Sequence, residues 1–368
     1  MVKSRYLVFT GGHHSGALAV AQELIAGNWQ IIWIGHRYSM QGDKSDSAEY
    51  QEVHAAGIKF IDLKAGKFHR VSNPWKLLRI PLGFIRALSI LTRLKLRYKS
   101  DLKGIVSFGG YLAVPVVICG WLLGIPSITH EQTTVAGHAN RLLSLFVKKI
   151  AVSWASGVAH YPHSKVVVTG LPLRPEIKAV RRHKSSPTKK FPTIFFLCGK
   201  QGSHLINQVV FSCLPQLLEK YRIIHQTGSA SRYSDFRHAK ALWRSLPQHL
   251  QQRYQPREYY FPDQIKRVFS HTDLLVGRSG AHQSYEIAYL GLPSILIPIP
   301  WGSHNEQYQN AKMLADAGLA IILPQHQLNV KTLLEYISRG LSMVPGSLPV
   351  PGNGLGKLVN LINQTFDS

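Results

Sequence analysis

The sequence predicts an α/β protein with two Rossmann-like, doubly wound domains, and two internal repeats carry this prediction. The first repeat has the order strand, glycine turn, helix and strand. It occurs in YLVFT, a glycine loop, GALAVAQELIAGN and QIIWIG, and again in TIFFLCGKQGSHLINQVVFSCLPQLLEKYRIIHQTG. A second pair, GIVSFGGYLAVPVVICGWLLGIPSITH and DLLVGRSGAHQSYEIAYLGLPSILIP, shares a strand, a glycine turn, a helix, a Gly-x-Pro break and another strand. Because both features occur twice, two such domains are expected in tandem.

Domain boundaries are predicted from length and local composition. The 368 residues exceed the length at which one core stops growing, and the stretch 171–192 is basic and lacks apolar periodicity. We predict an N-terminal domain over 1–165, a linker over 166–190 and a C-terminal domain over 191–340. Residues 341–368 are predicted to form a Pro/Gly loop and a helix that packs back towards the N-terminal domain. Open α/β sheets bind ligands beyond their strand C-termini, so the ligand is expected in the cleft between the domains.

The charge favours an anionic partner. The formal net charge is +24, which suits nucleic acid, anionic lipid or phosphorylated substrates. Recognisable basic-aromatic modules and helix-turn-helix signals are absent from the sequence, so no nucleic acid is expected, although a basic nucleic-acid-binding protein is the remote non-enzyme alternative. Three cysteines are too few for a disulfide framework and indicate a reducing cytosolic setting. No Cys/His spacing resembles a zinc site, so neither a metal nor a cofactor is predicted.

One basic, apolar segment stands out between residues 73 and 99. Arg79, Arg86, Arg93 and Arg97 recur at spacings of seven, seven and four, which places them on one stripe of a helix, while Leu, Ile and Phe cover most of the rest. Such a helix suits the surface of an anionic membrane. The alternative is a core helix with a solvated basic stripe.

The first glycine turn is predicted to bind an anion. Gly11 and Gly12 allow a tight turn, and the helix that follows presents free N–H groups. The spacing to Gly16 does not match G-x-G-x-x-G, which disfavours a dehydrogenase. His13 lies on the turn, where an imidazole can accept a proton from a substrate hydroxyl, or can instead form only local hydrogen bonds.

A second anion site is predicted in the C-terminal half. Arg278 and Ser279 precede a helix start, and Glu286 follows Ser279 by two helical turns on the same face. A carboxylate there could accept both hydroxyls of a ribose, or be an ordinary surface glutamate. The polar stretch HNEQYQNA, from His304, suits a sugar or caps the next helix.

Several motifs, taken in order, resemble the MurG family of bacterial glycosyltransferases. They are TGGHHSGALAVA, FGGYLAVPVVICGWLLGIPSITHEQ, AGHANR, TGLPLR, CGKQGSHLINQ, RSGAHQSYEIAYLGLPSILIPIP and NEQYQNA, over roughly residues 6 to 330. The resemblance implies a GT-B fold and a UDP-GlcNAc-dependent hexosyltransferase. It implies transfer of GlcNAc, with inversion, to the MurNAc 4-hydroxyl of undecaprenyl-diphosphate-linked lipid I, which gives lipid II in peptidoglycan synthesis. The alternative keeps the fold but uses diacylglycerol or another lipid acceptor.

The resemblance also assigns roles to residues at matching positions. His13 is the candidate base, and Glu131 is the alternative base. The positions implied to bind the UDP-sugar are Thr10, Gly11, Gly12, Thr133, Arg174, Lys200, Phe261, Ala281, His282, Gln283, Ser284, Tyr285, Glu286 and Gln307. The acceptor is implied to bind the N-terminal domain, which faces the membrane.

The resemblance further implies a peripheral protein on the cytoplasmic side of the cell membrane. The residues predicted to contact the membrane are Trp75, Leu78, Arg79, Leu82, Ile85, Arg86 and Arg93. Three positions depart from the family pattern, which has proline at Gly16, asparagine at Thr133 and serine at Lys200. The family's acceptor loop is replaced here by KAGKFHR, residues 64–70.

Overall fold

The structure is a computed structural model, and it describes residues 5–12, 14–38, 46–65, 79–181, 190–230, 232–301 and 305–367. The chain forms two compact units. One comprises Met1–Pro172 and Asn353–Ser368, and the other comprises Leu173–Gly352.

The first unit is built around a seven-stranded parallel sheet. Its strands are β1 (Arg5–Thr10), β2 (Trp29–Gly35), β3 (Lys59–Asp62), β4 (Leu102–Ser107), β5 (Ser127–Glu131), β6 (Lys149–Val152) and β7 (Val166–Val168). They lie in the order β3-β2-β1-β4-β5-β6-β7. The helices between them are α1 (His14–Ala26), α2 (Ala48–Ala55), α3 (Arg79–Tyr98), α4 (Ala113–Leu122) and α5 (His138–Leu143).

The second unit is built around a six-stranded parallel sheet. Its strands are β8 (Thr193–Leu197), β9 (Arg222–Gln226), β10 (Tyr254–Arg257), β11 (Leu274–Gly277), β12 (Ser294–Leu296) and β13 (Ala320–Ile322), in the order β10-β9-β8-β11-β12-β13. Its helices are α6 (Pro175–Lys178), α7 (His204–Lys220), α8 (Asp235–Ser245), α9 (Gln248–Gln251), α10 (Pro262–His271), α11 (Ala281–Leu290), α12 (Glu306–Asp316) and α13 (Val330–Leu341).

The strand order places the predicted glycine turns at equivalent points of the two sheets. In each sheet the chain builds outward from one central strand, β1 or β8, and then crosses to the neighbour on its other side, β4 or β11. Ligands of doubly wound sheets bind at this switch point, beyond the strand C-termini. The turns after β1, β4, β8 and β11 all carry glycine, so the repeats seen in the sequence mark both switch points.

The strands are apolar almost throughout because helices cover both faces of each sheet. Phe9, Ile105 and Val106 are fully buried in the first sheet, and Phe195 and Val276 are fully buried in the second. Burial of one such side chain stabilises the fold by about 1.5 to 3 kcal/mol.

The last helix, α14 (Gly354–Phe366), belongs to the first unit. Phe366 is 2% exposed, and a Cβ placed on Gly104 of β4 would lie 2.1 Å from its ring. The Trp29 indole N–H donates to Asn363 Oδ1 at 2.9 Å. The C-terminal segment therefore completes the core beneath β1, β2 and β4.

The segment predicted as a linker, 166–190, contains regular structure. Its first three residues form β7, which pairs with β6, and Pro175–Lys178 forms α6. The change of unit falls between Pro172 and Leu173. Residues 182–189 lie outside the described part of the chain. A three-residue strand is too short to show a periodicity in sequence, although its main chain completes the sheet.

Candidate active site

The turns after β1 and β4 are joined by their main chains. Gly11 has a φ of +140°, and a Cβ there would lie 2.7 Å from the backbone nitrogen of Phe108. The Gly12 N–H donates to the Gly109 carbonyl at 3.2 Å. Because no larger residue fits at Gly11, glycine is what lets these two turns meet at the switch point.

Thr10 and His13 flank this glycine pair. Thr10 ends β1 with its side chain 1% exposed, and its hydroxyl makes no hydrogen bond to the described residues. The predicted base, His13, lies outside the residues that the structure describes.

Glu131, the alternative base, ends β5 and is 5% exposed. Its Oε1 accepts from the Thr133 N–H at 3.2 Å and from the Thr133 hydroxyl at 2.9 Å. Its Oε2 accepts from the Gly137 N–H at 3.0 Å, from Asn140 Nδ2 at 3.0 Å and from the Tyr161 hydroxyl at 2.9 Å. Five donors thus surround one carboxylate.

This surrounding gives Glu131 the geometry of a loop anchor. A general base must reach the proton that it removes, whereas both oxygens of Glu131 already accept hydrogen bonds inside the unit. The Thr133 hydroxyl faces inward and shares its single hydrogen between Glu131 Oε1 at 2.9 Å and the Val135 carbonyl at 2.5 Å. Burial, reinforced by the Glu131 charge, raises the pKa of Tyr161 and keeps it a hydrogen-bond donor.

Asn140 extends this buried network, and the sequence analysis missed its role. Thr129 Oγ1 lies 2.7 Å from Asn140 Oδ1 and 3.2 Å from Ser107 Oγ, which accepts the Gly109 N–H at 3.2 Å. The network therefore connects the loop after β5 with the glycine turn after β4. The motif AGHANR contains Asn140, but a motif alone does not show which side chain bridges two loops.

The loop after β8 is fixed by its neighbour. Gly202 has a φ of +78°, and a Cβ there would lie 1.9 Å from the Thr227 carbonyl oxygen. The Lys200 carbonyl accepts the Ser229 N–H at 3.0 Å, and the Lys200 side chain is exposed. A lysine at this turn adds a cation next to the N-terminus of α7, where an anion is favoured.

Arg278 is a second cation at this switch point. It is 8% exposed, and its guanidinium donates to the Ile297 carbonyl and to Ser203 Oγ, each at 2.8 Å. Burial lowers its pKa, and it forms no ion pair with the carboxylates of the described residues. In the sequence, Arg278 lies at a helix junction with no evident role. Its bond to the loop after β8 became visible only in the structure.

Glu286 is held by Arg174. Arg174 Nη2 and Nε donate to Glu286 Oε1 at 2.8 and 3.3 Å. Glu286 is 4% exposed, whereas the Arg174 side chain is 36% exposed. Burial raises the pKa of Glu286, and the guanidinium opposes this shift. The structure thus brings together two predicted donor-site residues that lie 112 positions apart.

The side chains that follow the start of α11 anchor the helix. Gln283 Nε2 donates to the Leu197 carbonyl at 3.1 Å, and the fully buried Tyr285 donates to the Pro351 carbonyl at 2.9 Å. Ser284 is also fully buried. Ser284 and Tyr285, both predicted to bind the UDP-sugar, therefore face the interior of the unit, and the partly buried Gln283 is bonded to the end of β8.

The N-terminus of α11 is the end of the helix that favours an anion. Ala281 begins the helix and is 7% exposed, and His282 follows it. The first N–H groups of a helix have no partner within it, and they carry a partial positive charge. Contact with an anion at Ala281 and His282 is therefore expected through the backbone.

Two further predicted positions lie at the starts of α10 and α12 in the second unit. Phe261 precedes α10 with 60% exposure, and its ring packs edge-on against Tyr259 at 5.5 Å between centroids. Gln307 is in α12, where its Oε1 accepts the Ile299 N–H at 3.1 Å and its carbonyl accepts the Ser279 hydroxyl at 2.7 Å. Gln307 is thereby joined to the turn after β11.

The helix α3 exposes an apolar stripe beside its arginines. Leu82, Ile85 and Leu96 are 46%, 63% and 71% exposed, and Arg86 and Arg93 are exposed as well. The opposite side, with Ala87, Leu91 and Leu94, is buried against the first unit. The helix therefore has both a buried face and an exposed apolar face. The predicted core helix and the predicted membrane-surface helix describe these two opposite sides of α3.

The other predicted membrane residues are less fully described. Arg79 begins α3, whereas Trp75 and Leu78 lie outside the described residues. The structure adds Trp121 and Leu122, 53% and 64% exposed at the end of α4. This helix packs along α3.

Within the described residues, no helix has the length and apolarity needed to span a membrane, and no group of His, Cys, Asp and Glu could hold a metal ion.

Comparison with known proteins defines the class. The family model described as the glycosyltransferase family 28 N-terminal domain matches residues 9–152, and the C-terminal domain of the same family matches residues 193–345. Each match falls within one of the two units. The two doubly wound sheets, with a glycine turn at each switch point, are thus those of a family 28 glycosyltransferase.

The relatives are more specific. The chain is 31% identical over 347 residues to UDP-N-acetylglucosamine--N-acetylmuramyl-(pentapeptide) pyrophosphoryl-undecaprenol N-acetylglucosamine transferase 2 of Bacillus cereus, covering 90% of each. It is 30% identical to the transferase of the same name from Synechococcus elongatus, covering 95% of this chain and 91% of the relative. The crystal structure of Acinetobacter baumannii MurG superimposes with a TM-score of 0.72 at 24% identity, covering 98% and 99% of the two chains.

The chain belongs to the family of these N-acetylglucosamine transferases, the MurG family. The predicted family and the predicted two-domain GT-B fold are confirmed.

Proposed function

We propose that this chain transfers GlcNAc from UDP-GlcNAc to the MurNAc 4-hydroxyl of the undecaprenyl-diphosphate-linked acceptor, which gives lipid II. The observation that carries this proposal is the family membership, which extends over both units at 31% identity. The reaction needs a base at the acceptor hydroxyl and fixed positive charge for the departing UDP.

The second unit supplies the donor site in this proposal. The diphosphate lies at the turn after β8 and at the N-terminus of α11, where Lys200 and the partial positive charge of the helix start stabilise its charge. Glu286, oriented and kept ionised by Arg174, accepts the ribose hydroxyls. The uracil is held by the main chain at Phe261, and the sugar hydroxyls are held by Gln307. Arg278 supports the diphosphate loop through Ser203.

The first unit supplies the acceptor site. His13 takes the proton from the attacking hydroxyl, and the main chain of Gly11 and Gly12 allows the substrate a close approach. Glu131 acts as a positioning residue, because its carboxylate holds Gly137 and Asn140 in place. Thr133 shares that task, since its hydroxyl is directed to the same carboxylate.

The free face of α3 brings the enzyme to its lipid-linked acceptor. Leu82, Ile85 and Leu96 insert among lipid acyl chains, and Arg86 and Arg93 bind anionic headgroups. Trp121 and Leu122 extend this surface. We place the protein on the cytoplasmic side of the membrane, where its nucleotide donor is made available, without a nucleic-acid partner.

The test is incubation of the full chain with UDP-GlcNAc and a short-chain lipid I analogue, followed by chromatography of the product. We expect a disaccharide on the diphosphoryl lipid. Transfer to diacylglycerol without formation of the disaccharide would show that the acceptor is diacylglycerol. Release of UDP without transfer of the sugar to either acceptor would contradict a transferase.

The same assay separates the two candidate bases. We expect His13→Ala to lower kcat at least a hundredfold with little change in the KM for UDP-GlcNAc, because general base catalysis contributes 10²- to 10⁴-fold. Glu131→Gln keeps the volume of the side chain but replaces one acceptor oxygen with an NH2 donor, so it should weaken the loop anchor and still retain more activity than His13→Ala. An unchanged kcat in His13→Ala would exclude this histidine as the base.

A further inference from the structure

The last residue of β9, Gln226, joins two segments of the second unit through its side chain. Its amide is 2% exposed. Nε2 donates to the Gly199 carbonyl at 2.9 Å, and Oε1 accepts the Tyr260 N–H at 3.1 Å. A carbonyl can only accept and a backbone N–H can only donate, so these two partners fix the orientation of the amide.

The two segments serve different parts of the proposed donor. Gly199 lies in the loop after β8, at the proposed diphosphate site. Tyr260 directly precedes Phe261 and α10, at the proposed uracil site. The Gln226 side chain thus connects the loop proposed to bind the diphosphate with the segment whose backbone is proposed to bind the uracil.

The loop that follows Gln226 runs between the same two segments. On one side, the Thr227 and Gly228 N–H groups donate to the carbonyls of Arg257 and Glu258 at 2.9 and 3.0 Å. On the other side, the Ala230 N–H donates to the Gln201 carbonyl at 3.3 Å. The segments around 199–202, 227–230 and 257–260 are therefore bonded into one assembly.

The assembly has little freedom to adjust. A Cβ on Gly228 would lie 2.2 Å from the backbone nitrogen of Gly202, so the two loops touch through their main chains. Tyr260 is 5% exposed, so loss of its bond to Gln226 would leave a buried N–H unsatisfied, which costs about 1 to 3 kcal/mol. The position of the loop at Gly199 is thus coupled to that of the segment at Tyr260.

We propose that Gln226 is a positioning residue that sets the spacing between the diphosphate loop and the uracil segment, so that both ends of one nucleoside diphosphate sugar bind together. It acts through the main chain of Gly199 and Tyr260 and does not touch the donor. This inference rests on the proposed function, because it assigns those segments to UDP-GlcNAc.

Two variants separate the two hydrogen bonds. Gln226→Glu keeps an acceptor for the Tyr260 N–H but, when ionised, places a carboxylate oxygen against the Gly199 carbonyl. Gln226→Met removes both contacts at similar volume. Gln208→Glu, which adds the same charge at an exposed position of α7, is the matched control.

The first measurement is the binding of UDP and of uridine at pH 8, by displacement of a fluorescent UDP probe. We expect Gln226→Glu to weaken UDP binding about tenfold or more and uridine binding less than twofold, since only the diphosphate loop has lost its contact. The KM for UDP-GlcNAc should rise by the same factor, with kcat within threefold of wild type. Gln208→Glu should match wild type in all four values.

The second measurement is the pH profile of the donor KM. As the pH falls, the carboxyl of the Gln226→Glu variant becomes protonated, and its O–H can donate to Gly199 in place of the lost N–H. Burial favours the neutral carboxyl. The ratio of its KM to the wild-type KM should therefore fall towards one, whereas the ratio for Gln226→Met should stay constant. A residue needed only for folding would not give this difference.

Equal losses of UDP and uridine affinity in Gln226→Glu would overturn the inference, as would unchanged UDP binding in both variants. Should Gln226→Glu not fold, Gln226→Met decides alone: an unchanged affinity for UDP and an unchanged donor KM would refute the role. A wild-type protein that neither binds UDP nor transfers GlcNAc would instead overturn the proposed function.

Discussion

Replacing Arg174 with methionine tests how the buried carboxylate of Glu286 stays ionised for the donor. The guanidinium donates to Glu286 Oε1 at 2.8 and 3.3 Å, and the carboxylate is 4% exposed. Methionine has a similar volume but carries neither a positive charge nor a hydrogen-bonding N–H group. Donor binding should therefore weaken through Glu286, although the proposed ribose contact itself is left in place.

The magnitude is set by the exposure of the pair. Breaking a fully buried ion pair costs about 3 to 5 kcal/mol, but the Arg174 side chain is 36% exposed, so water replaces part of the interaction. The proposed ribose contact is a hydrogen bond to a charged group, so loss of the Glu286 charge should weaken donor binding by about 2 kcal/mol. This corresponds to roughly a 30-fold rise in the KM for UDP-GlcNAc.

The change should also depend on pH. Burial already raises the pKa of Glu286, and loss of Arg174 removes the opposing charge and raises it further. The acid limb of kcat/KM should then move to higher pH. Because a raised carboxyl pKa contributes stability at low pH that is lost as the pH rises through it, the variant should lose more stability relative to wild type at pH 8 than at pH 5.

The assay is steady-state kinetics from pH 5 to 9, together with urea unfolding at the two limits. Arg339→Met is the matched control, since Arg339 and Glu335 are both more than half exposed and 3.9 Å apart. Such a pair contributes less than about 1 kcal/mol. An unchanged donor KM and acid limb in Arg174→Met would refute the reasoning.

Three further predictions concern packing, pH and the diphosphate loop. Phe366→Ala should lower the unfolding free energy of the first unit by about 3 to 4 kcal/mol in urea, because the side chain is 2% exposed and packs on Gly104; a loss below about 1 kcal/mol would show that α14 is not part of the core. Burial lowers the pKa of His225 to about 3 in the folded protein. As the pH falls, the unfolded chain therefore binds a proton at this histidine before the folded protein does, and about 2 kcal/mol of stability should be lost between pH 8 and pH 5. His225→Gln should show a correspondingly shallower pH dependence in urea, and an equal slope would contradict this account. Gly202→Ala should raise the donor KM about tenfold or more, because its Cβ would lie 1.9 Å from the Thr227 carbonyl oxygen. Gly199→Ala has a similar backbone angle, φ +76°, but its Cβ would have nothing within 4 Å, so the rise in KM should be smaller. Equal effects of the two variants would mean that backbone strain, and not the contact with Thr227, determines the loss.

The architecture was predictable because repeated local patterns reflect a repeated topology. The apolar strands, the glycine turns and the helices after them recur at fixed order, and strands buried on both faces are apolar throughout. The edges were less predictable. The three-residue β7 lies in the segment predicted as a linker.

The site was predictable in its backbone and less so in its side chains. Gly11 lies at the switch point as the turn pattern predicts, because only glycine allows the contact with Phe108. Tyr285 occurs in a predicted donor stretch, yet its side chain is fully buried. The sequence of a helix does not show whether a side chain points to the ligand or to the core when its hydrogen-bond partner, here the Pro351 carbonyl, is distant in sequence.

The sequence by itself determined the family, the two α/β domains and the four glycine turns, because periodicity and turn chemistry are local properties of the chain. Only the tertiary structure decided which polar groups meet. It paired Arg174 with Glu286, surrounded Glu131 with five donors and placed Gln226 between two loops. The physical reason is that buried polar groups must find partners wherever the fold provides them, and those partners lie on segments that are far apart along the chain.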